Sequence, residues 1–264
     1  MKHVARKRFG QNFLTDLNII DQIIGHLQIQ PKDHWLEIGP GLGALTEPLL
    51  NHDIRLDVVE LDRDLAAELT RRFGGREGFR LHQADALTVD FKALTKDGKL
   101  RMVGNLPYNI STPLLFHLLA HSGCFQDLSV MLQQEVVKRI CAAPGGKDYG
   151  RLTVMLQYHC QPEPLFQVPP ESFQPAPKVM SAMVRLVPHA APPVAVTSHA
   201  DFQTLVTQAF SQRRKTLRNT LRTLLPQEVW ADLAIDPSAR AETLTLSQFA
   251  ALANVYTEVK TALS

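Results

Sequence analysis

Short apolar segments that alternate with amphipathic patterns constrain the fold of this chain more than any other feature. Five segments have the length and composition of buried strands, at residues 35–38, 55–62, 79–85, 100–104 and 128–132. Helical patterns are predicted at residues 16–27, from residue 45 onward, and at 65–73, 113–119 and 149–160. Because strands that alternate with helices form βαβ units, the sequence predicts an α/β fold built on a parallel sheet.

The last third of the chain follows a different pattern. Two further strands are predicted at Leu165–Val168 and Met183–Val187, and their proline-rich connection is too short for a helical crossover. They should therefore form an antiparallel hairpin at the sheet edge. After a linker at Pro188–Pro193, helical patterns cover residues 202–225, 228–233 and 247–257. We expect one domain over residues 1–188 and a small all-helical domain over residues 189–264.

The segment Asn105-Leu106-Pro107-Tyr108 follows the apolar run at 100–104. In open α/β sheets, ligands bind at the carboxyl ends of the strands, which is where this segment is expected to lie. The Asn105 amide supplies an acceptor, and Pro107 favours an extended Leu106 whose carbonyl can remain free. Two acceptors beside the flat ring of Tyr108 suit an amino group on a planar base, although such a string is also found in ordinary turns.

A glycine-rich turn, Gly39-Pro40-Gly41-Leu42-Gly43-Ala44, lies between a predicted strand and a predicted helix. Backbone N–H groups meet a ligand at such a turn. The string also fits a dinucleotide fingerprint, with Glu60 about 20 residues further on as the ribose-binding acid, so a nicotinamide oxidoreductase is an alternative. However, Glu37, Glu60 and Asp85 follow successive strands, and three carboxylates suit a cofactor with a ribose, an amine and a positive sulfur better than a diphosphate.

Basic residues cluster near both ends of a chain whose net charge is only +2. Residues 1–15 and residues 202–227 contain no acid. The basic side chains are Lys2, Arg6, Lys7 and Arg8 in the first cluster and Arg213, Arg214, Lys215, Arg218 and Arg222 in the second. The four-residue spacing of Arg214, Arg218 and Arg222 predicts one basic face of a helix, which is either a solvated surface or a phosphate-binding one.

Several classes of protein are disfavoured by the composition. The three cysteines form no Cys-x-x-Cys pair and the ten histidines form no metal-ligand array, so reduced thiols and no metal site are expected. No apolar run approaches the ~18–20 residues of a membrane span. The basic start is not followed by a hydrophobic segment, which disfavours a secretory signal. We therefore expect a cytoplasmic protein with no membrane partner.

Five spaced motifs, in order from about Arg6 to Tyr256, resemble those of the ribosomal RNA adenine dimethyltransferases, and among these the bacterial small-subunit enzymes. The motifs are Phe9-Gly10-Gln11-Asn12-Phe13-Leu14, Glu37-Ile38-Gly39-Pro40-Gly41-Leu42-Gly43, Glu60-Leu61-Asp62, Asn105-Leu106-Pro107-Tyr108-Asn109-Ile110-Ser111 and Phe173-Gln174-Pro175-Ala176-Pro177-Lys178-Val179. The resemblance implies a Rossmann-like class I methyltransferase sheet, the cofactor S-adenosylmethionine, and S-adenosylhomocysteine as product.

The resemblance also implies roles for individual residues. The cofactor-binding residues would be Asn12, Leu14, Gly39, Gly41, Glu60, Asp85 and Asn105, with Glu60 on the ribose and Asp85 on the adenine amine. Asn105 and the Leu106 carbonyl would hold the target amine, while Tyr108 and Phe173 would stack on the extruded base. For Phe173, a core position in a rigid connector is the alternative.

The expected partner is small-subunit ribosomal RNA within an assembling 30S particle, and the chain is expected to be a monomer. The target would be the exocyclic amines of two adjacent adenines near the 3′ end of 16S RNA, each dimethylated. RNA would bind to Arg6, Lys7, Arg8, Arg213, Arg214, Lys215, Arg218 and Arg222. The alternatives are a non-catalytic assembly factor, a DNA adenine methyltransferase and, less favoured, the nicotinamide enzyme.

Overall fold

A computed structural model of the chain describes residues 11–96, 98–231 and 233–262. The chain divides into two compact units. The first consists of Met1–Val137 and Pro162–Pro188, and the second of Lys138–Gln161 and His189–Ser264. Residues 138–161 therefore group with the carboxyl-terminal helices, whereas the sequence interpretation placed them in the first domain. That the two units are the catalytic and RNA-recognition domains stays a prediction.

The elements of regular structure alternate as the sequence indicates. The strands are β1 (Phe13–Leu14), β2 (His34–Ile38), β3 (Arg55–Glu60), β4 (Phe79–Gln83), β5 (Leu100–Asn105), β6 (Phe125–Gln133), β7 (Cys160–Val168), β8 (Phe173–Gln174) and β9 (Ser181–Pro188). The helices are α1 (Leu17–Leu27), α2 (Thr46–Leu49), α3 (Arg63–Phe73), α4 (Ser111–Ala120), α5 (Gln134–Ile140), α6 (Arg151–His159), α7 (His199–Ala209), α8 (Leu217–Thr220) and α9 (Leu246–Ala262). Short 3₁₀ segments cover Phe91–Leu94, Ser122–Cys124, Pro170–Ser172, Gln227–Ala231 and Ala241–Thr243.

The main sheet has seven strands in the order β4-β3-β2-β5-β6-β9-β7. Strands β2 to β6 pair in parallel, and β9 runs antiparallel to β6. The predicted α/β fold, with parallel strands and an antiparallel addition at one edge, is therefore confirmed. The chain order reverses between β2 and β5, and such a switch point opens a crevice at the carboxyl ends of the strands.

The centre of the sheet is buried on both faces, as expected for parallel strands covered by helices. Trp35, Leu36 and Leu56 have no exposed surface. Helix α1 begins after Asp16, whose side chain accepts hydrogen bonds from the first turn as the sequence indicates. The buried residues of α1 belong to the same core as the strands, so this helix packs against the sheet just before the chain enters β2.

The carboxyl-terminal unit corrects two predictions. The helix predicted over residues 202–225 is wrong, because α7 ends at Ala209 and α8 contains only Leu217–Thr220. The N–H groups of Leu217 and Arg218 bond to the carbonyls of Ala239 and Pro237, so tertiary backbone contacts replace helical ones there. Arg214, Arg218 and Arg222 therefore do not share one helical face.

Helix α6 packs against α7 and α9, which explains why residues 138–161 join this unit. It ends at His159, one residue earlier than predicted, and β7 begins at Cys160, five residues before the predicted strand at Leu165. Among the described helices, none combines the length and apolar character needed to cross a membrane.

Candidate active site

A cavity opens at the carboxyl ends of the parallel strands, within the first unit. Its walls come from the amino-terminal segment, the turn after β2, the end of β3, the residues after β4 and the residues after β5. The predicted site residues that line it are Asn12, Leu14, Gly39, Gly41, Glu60, Asp85, Asn105, Leu106 and Tyr108. The fold thus brings together residues from four sequence motifs.

The glycine turn brings its backbone close to the cavity. Gly39 has a φ of +70° and Gly41 a φ of +57°, which side-chain-bearing residues rarely adopt. A Cβ on Gly41 would lie 2.8 Å from the ring of Phe13. The turn is therefore covered by the amino-terminal segment, and the missing side chain at Gly41 is what allows this approach.

Glu60 lies at the end of β3 and is 7% exposed. Its carboxylate accepts hydrogen bonds from the backbone N–H groups of Asp62, at 2.8 Å, and Gly41. Burial raises the pKa of Glu60, and these backbone donors partly oppose that rise. Two residues after the end of β4, Asp85 lines the same cavity, and its Oδ1 accepts a hydrogen bond from the N–H of Leu87 at 2.9 Å.

Glu37 is the most deeply buried acid of the cavity, at 1% exposed. Burial raises the pKa of Glu37 from 4.5 to about 8, and the nearby Glu60 adds to the rise. The Thr46 hydroxyl donates a hydrogen bond to Glu37 Oε2 at 2.6 Å and opposes the rise. With a pKa of about 8, Glu37 holds a proton at neutral pH. One wall of the cavity can therefore take up one more negative charge when a cation binds.

The Asn105 segment forms another part of the cavity wall, beside the glycine turn. Nδ2 of Asn105 donates a hydrogen bond to the carbonyl of Asn12 at 3.0 Å, and the Leu106 N–H donates to the Met131 carbonyl at 3.2 Å. The Tyr108 hydroxyl lies 2.5 Å from Ser181 Oγ. Burial raises the pKa of Tyr108, while the contact with Ser181 lowers it. Asn105, the Leu106 peptide and the Tyr108 ring are thus each fixed by a contact to another element.

Phe173 does not line the cavity. Its ring is 3% exposed and packs in the core with Leu14, Val168 and Met183. Its backbone lies in β8, which pairs with β1. The predicted stacking role is therefore not supported, and the alternative of a core phenylalanine in a rigid connector describes the structure.

The predicted RNA-binding residues lie in two places. Arg213, Arg214 and Lys215 are exposed in the turn between α7 and α8, and Arg218 and Arg222 are exposed on and just after α8. One guanidinium nitrogen of Arg213 donates to the Lys147 carbonyl at 2.5 Å. Arg6, Lys7 and Arg8 lie outside the described residues.

Several residues of the cavity escaped sequence reasoning. Gln11 lines the cavity, and its Nε2 donates a hydrogen bond to Asp62 Oδ2 at 3.3 Å. Leu42 and Leu61 are 38% and 48% exposed, unusual for leucine, and both line the cavity. The position of Leu61 between two acids was a signal that the sequence carried. Among the described residues, no group of three or more histidine, cysteine, aspartate or glutamate side chains is arranged to hold a metal ion.

Known proteins similar to this chain include ribosomal RNA methyltransferases. Residues 2–258 match the family model described as ribosomal RNA adenine dimethylase. The chain is 54% identical over 254 residues to "Ribosomal RNA small subunit methyltransferase A" of Pseudomonas fluorescens, covering 96% of this chain and 94% of that protein. The protein of the same name from Erwinia tasmaniensis is 54% identical over 255 residues, covering 96% and 93%.

Solved structures lead to the same family. A dimethyladenosine transferase from Plasmodium falciparum has a TM-score of 0.80 at 26% identity, covering 95% of this chain and 98% of that one. The 23S rRNA methyltransferase ErmE has a TM-score of 0.70 at 25% identity, covering 94% and 100%. The chain therefore belongs to the ribosomal RNA adenine dimethylase family.

Proposed function

We propose that this protein transfers methyl groups from S-adenosylmethionine to the exocyclic amines of two adjacent adenines near the 3′ end of small-subunit ribosomal RNA. The observation that carries the proposal is that the Asn105-Leu106-Pro107-Tyr108 segment and the acids Glu60 and Asp85 line one cavity in a member of this family. S-adenosylmethionine supplies an electrophilic methyl group on a sulfonium, and S-adenosylhomocysteine is the product.

The chemistry of the cavity fits this cofactor. Glu60 would bind the ribose hydroxyls and Asp85 the adenine amine. The Gly39 turn, with Asn12 and Leu14 facing it, would hold the methionine end. The exposed leucines Leu42 and Leu61 supply apolar contacts for a flat base. A buried acid two residues before the turn disfavours a diphosphate, so the nicotinamide alternative has no support from the site.

The target nitrogen is a poor nucleophile because its lone pair is delocalised into the adenine ring. Asn105 Oδ1 and the Leu106 carbonyl would accept its two N–H groups and direct the lone pair toward the methyl carbon. Bound S-adenosylmethionine would supply the methyl group: the N–C bond would form as the S–C bond breaks, and the amine proton would leave to water. Positioning and electrostatics suffice for such a step.

The base must leave its stack to reach the cavity, which costs a few kcal/mol. Stacking on Tyr108 would return roughly 1–3 kcal/mol. After the first transfer the amine keeps one N–H, so one of the two acceptors is unused in the second transfer. The wall at Asn105 must therefore tolerate a methyl group in place of a hydrogen.

The exposed cluster Arg213, Arg214, Lys215, Arg218 and Arg222 would bind RNA phosphates. Although these residues do not lie on one helix, a turn and a short helix present them within ten residues of chain. We propose Arg6, Lys7 and Arg8 as a second basic contact. The assembling 30S particle in the cytoplasm would be the substrate, and a monomer the acting form.

The test is incubation of the full chain with unmethylated small subunits and labelled S-adenosylmethionine, followed by mapping of the modified bases. We expect dimethylation of two adjacent adenines, and Asn105→Ala should lose transfer while retaining RNA binding. Label in other bases, or none in the presence of folded protein and intact subunits, would overturn the proposal. RNA binding without any transfer would indicate the non-catalytic assembly factor instead.

A further inference from the structure

The amino-terminal segment Gln11–Leu14 reaches the catalytic amide as well as the cofactor side of the cavity. The Asn12 carbonyl accepts a hydrogen bond from Asn105 Nδ2 at 3.0 Å. A primary amide has nearly the same shape in its two orientations, but only one of them offers the oxygen to a substrate. Because a carbonyl oxygen can only accept, the Asn12 contact is satisfied only when the amide nitrogen faces it. The contact therefore selects one orientation of Asn105.

We propose that the main-chain carbonyl of Asn12 is a positioning group for methyl transfer, holding the Asn105 amide with its oxygen available to the target amine. This inference rests on the proposed function and adds to it the group that orients the catalytic side chain. Adenine's exocyclic amine presents N–H donors. A flipped amide would meet the amine donor to donor and lose the hydrogen bond, with a desolvated N–H left unsatisfied.

The carbonyl of Asn12 is held by contacts on both sides of it. Gln11 donates to Asp62 at 3.3 Å, and the ring of Phe13 lies against Gly41. Strand β1 then pairs with β8 in antiparallel register, Phe13 opposite Gln174 and Leu14 opposite Phe173. A main-chain oxygen fixed in this way can orient a side chain as firmly as a buried polar residue can.

These anchors give the segment a second property. Asp62 and Gly41 lie next to Glu60, on the cofactor side of the cavity, whereas Asn105 lies on the base side. A displacement of residues 11–14 at the cofactor side therefore also releases the amide. The buried Phe173 stands opposite Leu14 in the strand pairing that holds this segment.

The test is the pH dependence of Asn105→Asp. An ionised carboxylate at position 105 has no hydrogen to donate to the Asn12 carbonyl. At neutral pH the two oxygens repel each other, and the substituted side chain is turned away from its productive orientation. Once protonated, the carboxyl donates to Asn12 and accepts from the amine with its other oxygen, which restores the wild-type pattern. The single-turnover rate, divided by that of wild type at each pH, should rise about tenfold per pH unit from pH 7.5 to 6.0.

Asn109→Asp is the matched control, because Asn109 lines the same cavity and the substitution adds the same charge. We expect no rise of its rate ratio on acidification. A flat ratio for Asn105→Asp, or an equal rise in both variants, would overturn the positioning role. If wild type itself transfers no methyl group, the proposed function fails instead, so the two failures are distinguishable.

An independent measurement needs no variant to be active. In the wild-type full chain, the side-chain N–H of Asn105 that faces Asn12 should exchange slowly with solvent by NMR, whereas the side-chain N–H groups of the exposed Asn109 should exchange fast. The Asn105 signal is assigned by its loss in Asn105→Asp. Equal exchange of the two side chains would refute the proposal.

Discussion

Replacing Glu37 by Gln should make the protein more stable at neutral pH, by an amount that grows with pH. Glu37 is 1% exposed, and its pKa rises from 4.5 in its ordinary environment to about 8 in the fold, with burial as the largest cause. A raised pKa means that the folded chain binds a proton which the unfolded chain has lost. The contribution of this proton to the free energy of unfolding is fully present below pH 4.5 and is lost as the pH rises toward 8.

The magnitude follows from the size of the shift. A difference of one pKa unit corresponds to 1.36 kcal/mol, so the full rise to about 8 corresponds to at most about 5 kcal/mol. Between pH 6.0 and 7.5 the free energy of unfolding of wild type should fall by about 2 kcal/mol from this group. Glu37→Gln keeps a neutral, hydrogen-bonding side chain and should lack this fall.

Thermal unfolding at pH 6.0 and 7.5 measures the difference. At roughly 2–4 °C per kcal/mol, the gap in Tm between Glu37→Gln and wild type should widen by about 4–8 °C over that interval. Glu68→Gln removes a half-buried acid on α3 and is the control. It should show no widening, because the paired Arg71 lowers the pKa of Glu68 from 4.5, further from the interval tested. An equal gap at both pH values would show that Glu37 does not titrate in this range, and the reasoning would be refuted.

The proton on Glu37 stabilises the fold but should weaken the binding of a cationic ligand. A cationic cofactor prefers an ionised Glu37, and an α-amino group stays protonated below about pH 7. The affinity for S-adenosylmethionine should therefore rise about tenfold between pH 6 and 7, with proton release, and Glu37→Gln should remove this dependence. Isothermal titration in two buffers of different ionisation enthalpy measures both quantities.

Further substitutions test the basic cluster and other residues of the cavity. Replacing Arg214 and Lys215 together by Ala should weaken RNA binding and leave cofactor affinity unchanged. The slope of log K for RNA against log salt concentration should fall by about 1 for each phosphate that is no longer neutralised, which filter binding at several salt concentrations measures. Gly41→Ala should weaken cofactor binding in a titration, because the added Cβ would lie 2.8 Å from the Phe13 ring at a φ of +57°. Tyr108→Ala should lower kcat/KM for RNA by about 5- to 160-fold, the equivalent of 1–3 kcal/mol of stacking, whereas Tyr108→Phe should keep most of the wild-type kcat/KM.

The parallel sheet was predictable because its signals are local. Each central strand is a short apolar run that ends in a glycine, an acid or the Asn105 segment, and a helical pattern follows it. Since parallel strands place their carboxyl ends along one edge, Gly39, Glu60, Asp85 and Asn105 meet in one cavity, as predicted. Motifs far apart in the chain could thus be assembled by topology alone.

The errors arise where distant backbone contacts decide the structure. Residues 202–225 have a helical pattern, yet the N–H groups of Leu217 and Arg218 bond to carbonyls some 20 residues further along the chain. Phe173 lies in a motif typical of a site, but its ring belongs to the core. The contact of Asn105 with Asn12 joins residues 93 positions apart through a main-chain atom. Every residue has a main-chain carbonyl, so the residue types do not predict this contact.

The pairing of β1 with β8 joins Phe13 to Gln174, partners about 160 residues apart in the chain. The first strand of the described residues therefore has no partner until one of the last elements of its unit has been synthesised. Until residue 174 has been synthesised, Phe13 and Leu14 lack the strand that pairs with them, so this contact of the amino-terminal segment cannot form. During synthesis on the ribosome, the cavity wall formed by residues 11–14 is therefore anchored only after most of the first unit has been made.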